Sequence, residues 1–258
     1  MGKIAIKEAI EKVNQEGAKA FVPYIMAGDP SVEELKDQLL FLQESGATVI
    51  ELGIPFSDPA ADGPVIQEAG KRALQNGASL SKILNVLDSI KHSLTVPVVL
   101  MTYINPLYKY GLSSVFEDIE NAGVSGLIIP DLPYEQNALI QPFISKTDLA
   151  LIQLVTLTSP EERIKTLAQA SEGFLYAVSV TGITGERANI SDKLESFISR
   201  LKNYSSVPVL AGFGISTPEQ VKEVSSYGDG VIVGSKIVDL QYKKQHAEIE
   251  NLIHAAVK

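Results

Sequence analysis

The chain has 258 residues, a formal net charge of −9 and no cysteine. The acidic balance argues against nucleic acid, whose binders need a basic footprint to release counterions. The missing thiol excludes disulfides, thiol nucleophiles and thiolate-held metals, and no apolar run reaches the roughly 18 residues of a membrane span.

Residues 3–16 alternate charged groups with Ile4, Ile6, Ile10 and Val13, the pattern of an amphipathic leading helix that Gly17 ends. The first residues hold no apolar signal core, and position 6 is Ile where an acylation signal wants Ser or Thr. The expectation is therefore a cytoplasmic protein. Residues 20–28 form a first buried strand, broken by Asp29-Pro30. Ser31 and Glu34 have the spacing of a capping box for a helix that ends near Ser45.

Residues 48–53 form a second strand, a short β-branched and aliphatic run closed by Gly53 and Pro55. A stiff loop follows with Asp58, Asp62 and Gly63-Pro64, and it opens a helical stretch to residue 74. Residues 79–92 are helical again. The third strand covers 96–103 and its helix 112–122. The fourth strand covers 126–131 and its helix 135–145. The fifth strand covers 149–155, and Ser159-Pro160-Glu161-Glu162 starts its helix. The sixth strand covers 174–180. A flexible loop over 181–187 precedes a helix over 191–203. The seventh strand covers 207–212 and ends in Gly212-Phe213-Gly214, with Thr217 and Gln220 capping the next helix. The eighth strand covers 230–235, with C-terminal helices after it.

Eight strand–helix units without a linker or composition break predict a parallel sheet that closes on itself. The fold class is α/β: a (β/α)8 TIM barrel with an extra N-terminal helix, one domain over 1–258. A single barrel of about 250 residues accounts for the length, and 45% hydrophobic residues fill its core. The loops after the strand C-terminal ends then form the active face. Glu51, the loop 58–62, the loop 182–185, Gly212 to Gly214 and Gly234-Ser235 gather around one mouth.

Each candidate there reads in two ways. Glu51 is a proton-transfer group with a raised pKa, or a structural carboxylate bonded to backbone N–H groups. Asp62 is a second functional acid, or the N-cap of the helix that Gly63-Pro64 begins. Asp58-Pro59 reads first as a turn. Gly212-Phe213-Gly214 and Gly234-Ser235 let backbone N–H groups approach a phosphate beside a helix N-terminus, or are ordinary turns. Thr184 and Gly185 add donors from the neighbouring loop, with Gly182 and Gly185 as hinges of a lid. Phe21, Met101, Tyr103, Ile129, Leu154, Tyr176 and Phe213 stand near strand ends and either line a flat apolar pocket or fill the core. His92, His246 and His254 lack metal-ligand spacing and read as solvated. Lys236 is the nearest Schiff-base candidate, though a surface role suits its place better.

These residues resemble one family. The stretch from Glu51 to Gln67, ELGIPFSDPAADGPVIQ, closely resembles the tryptophan synthase alpha chain. Supporting segments in the same order are FVPYIMAGDP from Phe21, MTYINP from Met101, PDLP from Pro130, SVTGITG from Ser179 and GFGIS from Gly212. The resemblance implies a metal-free lyase without a Schiff base, splitting indole-3-glycerol phosphate by retro-aldol cleavage. It carries catalytic roles to Glu51 and Asp62. Substrate contacts fall to Phe21, Tyr103, Tyr176, Thr184, Gly185, Phe213, Gly214, Gly234 and Ser235. Thr184 would position Asp62. The family implies a beta-chain partner in an alpha2-beta2 heterotetramer. Pyridoxal phosphate belongs to that partner, with no cofactor on this chain. Met26 and Ala60 depart from the Thr and the larger aliphatic residue common at those places.

Overall fold

Short β-branched and aliphatic runs bounded by glycine and proline form parallel strands, and the longer amphipathic runs between them form helices that cover the sheet. The computed structural model of the protein describes residues 2–178, 187–212 and 214–257, with side chains from residue 192 onward in the helix that begins at Arg187. The strands are β1 (Ala20–Met26), β2 (Ile50–Gly53), β3 (Val98–Met101), β4 (Gly126–Ile128), β5 (Ala150–Leu151), β6 (Gln153–Thr156), β7 (Leu175–Val178), β8 (Val209–Gly212) and β9 (Gly230–Val233). Their order is β5-β4-β3-β2-β1-β9-β8-β7-β6, with every pairing parallel.

The expected fifth strand is divided. β5 pairs with β4 and β6 pairs with β7, so the chain changes neighbours at Ile152. The Ile152 N–H still donates to Leu127 O at 3.0 Å, whereas the Gln153 N–H turns to Ser171 Oγ at 3.0 Å. The two ends of the sheet are thus joined through the chain itself, which brings the strands round into a barrel.

Alternation along each strand separates two layers. Val22, Val99, Ile128, Ile152, Leu210 and Ile232 pack inside the barrel. Phe21, Ile25, Ile50, Leu52, Leu100 and Val231 face the helices. The leading helix, Lys3–Gln15, sends Ile6 and Ile10 into the inner cluster, each fully buried. Gly126 and Gly173 make room for it. A Cβ on either would meet Ile6 Cδ1, at 3.0 and 3.2 Å. The extra N-terminal helix is therefore the floor of the barrel.

Several local expectations change. The helix Leu35–Glu44 begins after Ser31 has already bonded the Glu34 N–H in a preceding turn, at 3.4 Å, so no capping box sits at its start. Ser159 turns back to the Thr156 N–H at 3.3 Å, and Pro160 itself is the N-cap of Glu161–Ala170. A helix over Ile104–Tyr110 precedes the expected one and carries Pro106 in its first turn, where proline is tolerated. Thr217 and Gln220 do form the capping box of Pro218–Tyr227. The helix expected over 191–203 runs Arg187–Tyr204.

Candidate active site

Glu51 and Gly53 share one face of β2 by strand alternation, and Val49, two residues before Glu51, lies in the inner cluster. Glu51 consequently points into the barrel and is only 1% exposed. Its Oε2 has no hydrogen-bond partner among the described residues. That departs from the backbone-bonded structural carboxylate. Burial, with a smaller push from the Asp62 charge, raises the Glu51 carboxyl to about 8.

Asp62 is half-buried at the end of the loop that follows β2. The N-cap of the helix Pro64–Gln75 is Gly63, with no side-chain cap, so the capping account of Asp62 fails. Its carboxylate lines the same cavity as Glu51. Burial raises it to about 6, and the neighbouring Tyr103 hydroxyl draws it back toward the charged form. Tyr103 also accepts the Ala61 N–H at 2.9 Å and packs against Phe56 with ring centres 5.2 Å apart. The loop is thereby anchored to the residues that follow β3. Burial and Asp62 keep the phenol neutral, pushed up to about 12.

Two tyrosines flank Glu51. Tyr24 is opposite Glu51 in the β1–β2 register, and Tyr176 reaches in from β7. Both line the cavity with Ile66, Met101 and Ile232. Burial raises both phenols well above the ordinary value, with the Glu51 charge adding to each, so both stay protonated near neutrality. Each lies over a glycine. A Cβ on Gly53 would fall 2.0 Å from the Tyr24 hydroxyl, and one on Gly212 would fall 2.6 Å from the Tyr176 ring.

The other wall comes from the loops after β8 and β9. Gly214, with φ of 78°, stands beside Ser216, and Gly234 caps the helix Ser235–Tyr242. Free N–H groups at that helix start and the positive end of its dipole suit an anion. Two acids and a helix N-terminus thus open on one cavity.

The sequence-derived residues divide accordingly. Glu51, Asp62, Tyr176, Gly214, Gly234 and Ser235 meet in one cavity. Tyr103 stands behind Asp62 rather than in the wall. Phe21 is a correction: it is fully buried in the outer layer, because it is out of phase with Tyr24 on β1. Ile129 also belongs to the outer layer. Lys236, expected at the surface, is half-buried and lines the cavity. Asp58 is exposed and takes a bond from Ser57 Oγ at 2.5 Å. Thr184, Gly185, Phe213 and the 182–185 hinge lie outside the described residues. His246 stacks on Phe41 at 4.4 Å between ring centres, and none of the three histidines lines the cavity. No group of acids and histidines among the described residues is placed to hold a metal. Tyr24, Ile66 and Ser216 escaped sequence reading. Tyr24 shares strand parity with Ala20 and Val22, so its phase was readable but not that this face turns inward.

Comparison with known proteins gives the same picture. The family model of the tryptophan synthase alpha chain matches residues 10–258. The tryptophan synthase alpha chain of Bacillus cereus is 48% identical over 255 residues, covering 99% of this chain and 97% of the relative. That of Bacillus mycoides is 48% identical over 248 residues, covering 96% of each. Among solved structures, tryptophan synthase subunit alpha from Legionella pneumophila superposes with a TM-score of 0.88 at 34% identity, covering 99% and 98%. An open form of tryptophan synthase from M. tuberculosis superposes with a TM-score of 0.88 at 30% identity, covering 98% of each chain. The chain belongs to the tryptophan synthase alpha chain family, whose lyase reaction cleaves indole-3-glycerol phosphate on the way to tryptophan.

Proposed function

We propose that Glu51 and Asp62 are the catalytic carboxylates of this cleavage. The protonated Glu51 carboxyl delivers its proton to C3 of the indole ring, which turns the ring into a leaving group. The Glu51 carboxylate then takes the proton of the adjacent glycerol hydroxyl. The C–C bond electrons return to the ring, indole departs, and glyceraldehyde 3-phosphate remains. Glu51 ends protonated, as it began. Asp62, ionised, accepts the indole N–H and stabilises the positive charge that grows there. The buried Glu51 carboxyl, its Oε2 unpartnered among the described residues and beside Asp62, carries this reading.

Tyr176 and Tyr24 hold the ring, and Gly214, Gly234 and Ser235 hold the phosphate through backbone N–H groups. Thr184, Gly185 and Phe213 complete the substrate contacts by resemblance. Glu51 recovers the proton it gives and Asp62 stabilises the charge on the ring, so the chain works without a cofactor of its own. Its partner is the tryptophan synthase beta chain, in an alpha2-beta2 heterotetramer, and pyridoxal phosphate resides there. The whole chain acts as one barrel domain in the cytoplasm. Indole release from indole-3-glycerol phosphate, with and without the beta chain, tests the assignment. Glu51→Gln and Asp62→Asn each lower the rate by at least about 10²-fold, the scale of one acid–base group. A near-normal rate in either variant removes that residue from the mechanism.

A further inference from the structure

Among the described residues three carboxyl or amino side chains line the cavity: Glu51, Asp62 and Lys236. Two are acids, and the cavity must also admit a substrate phosphate. Lys236 is the second residue of the helix Ser235–Tyr242, whose start opens on the same space. Some of the protein's helical lysines meet carboxylates one turn away, as in Lys71–Glu68 and Lys165–Glu162. Lys236 has Asp239 at that spacing, yet Asp239 binds Lys243 at 2.8 Å. Among the described residues Lys236 has no ion pair with Asp239 or with any other carboxylate. It lines, beside a helix start, the same cavity as the buried Glu51 Oε2, which has no partner among the described residues.

We propose that Lys236 is a specificity-determining residue that pairs its ammonium with the substrate phosphate. The inference rests on the phosphate reading of the Gly214 and Gly234 wall and adds a charged contact to those backbone donors. A phosphate dianion entering a cavity that also holds the ionised Asp62 meets repulsion that neutral N–H groups offset only in part. An ammonium at the helix start supplies opposite charge where the dipole already favours an anion. It also discriminates. A phosphorylated glycerol chain gains the ion pair, and its dephosphorylated counterpart leaves the lysine unmatched.

The test compares kcat/KM for indole-3-glycerol phosphate and for indole-3-glycerol in wild type, Lys236→Met and Lys236→Arg. In parallel, calorimetry measures glycerol 3-phosphate binding to the same three proteins. The expected result is a preference for the phosphorylated substrate that falls about 10-fold or more in Lys236→Met and is largely kept in Lys236→Arg. Glycerol 3-phosphate binding weakens by a similar factor. An unchanged preference and unchanged binding in Lys236→Met overturn the proposal. So does an equal loss on both substrates, which marks a structural role. Borohydride-trapped adduct on Lys236 overturns it in favour of a Schiff base. Wild type that binds glycerol 3-phosphate through Lys236 yet releases no indole leaves the lysine's role standing and refutes the lyase chemistry instead.

Discussion

The Tyr103 hydroxyl accepts the Ala61 backbone N–H at 2.9 Å and thereby fixes the loop that ends in Asp62. The same hydroxyl favours the charged form of Asp62. Tyr103→Phe removes both effects while keeping the ring against Phe56. The expected outcome is a fall in kcat/KM of about 10-fold, the scale of a hydrogen bond to a charged group, and an upward shift of the acidic limb of the pH profile. A profile unmoved by the substitution would separate Tyr103 from Asp62.

The rate depends on two carboxyls in opposite states. Asp62 must be ionised, which holds above about 6, and Glu51 must be protonated, which holds below about 8. The plot of kcat/KM against pH is therefore a bell between those values, with the apparent limbs belonging to the pair. Asp62 helps to raise Glu51, so Asp62→Asn moves the basic limb to lower pH in whatever activity survives. Steady-state assays across pH 5–9 would read both limbs.

Glu51 also sets a pH dependence of folding. Its carboxyl is raised from an ordinary value of 4.5 to about 8. Between these values the unfolded chain is charged there while the folded chain stays protonated. The folded state binds more protons, so stability is lost as pH rises through that window. Glu51→Gln is spared this loss. Its gain in Tm over wild type is small at pH 5 and largest near pH 8, which thermal melts at the two pH values would show.

Gly53 and Tyr24 occupy one volume. A methyl at Gly53 meets the phenol oxygen at 2.0 Å and the ring carbon that bears it at 2.5 Å. Tyr24 is buried and cannot swing clear. Gly53→Ala is expected to cost about 1–3 kcal/mol in urea denaturation and to displace the wall beside Glu51, with a loss of activity beyond that of Tyr24→Phe alone. Adding Tyr24→Phe to Gly53→Ala restores stability only in part, because the ring carbon still collides.

Arg72 grips Asp29 with two nitrogens, at 2.8 and 2.7 Å, while its guanidinium lies 4.0 Å from the Tyr242 ring centre. Asp29 is 6% exposed, so Arg72→Ala strands a buried carboxylate. The cost is about 2–4 kcal/mol, and Arg72→Lys recovers less than half because the fork and the stacking are both lost. Urea midpoints of the two variants decide it.

The barrel was legible because each strand is a short apolar run and each helix has its own period. Glu51 was legible for the same reason, standing in a run where a charge needs an explanation. Phe21 was misplaced because alternation gives two faces without saying which one turns inward. That is settled only by the neighbouring strand, where Tyr24 pairs with Glu51. The division of the fifth strand at Ile152 left no mark in composition, since it depends on a change of partner across space. The helix Ile104–Tyr110 was hidden by Pro106, a breaker in most places and harmless in a first turn. Lys236 looked like surface because the sequence shows a helix start but not that this start opens on the cavity.

The floor and the closing seam of the barrel constrain the order of events at the ribosome. The leading helix is synthesised first, but its seat at Gly126 and Gly173 comes much later. β1 pairs with β9, and the Lys19 N–H reaches Ala256 O at 3.0 Å. An emerging chain therefore carries an unseated apolar helix and an open sheet edge through most of translation, the exposure that invites chaperones. The ring closes only after the last strand is released, and the cavity walls from β1 and β9 come together in that same step.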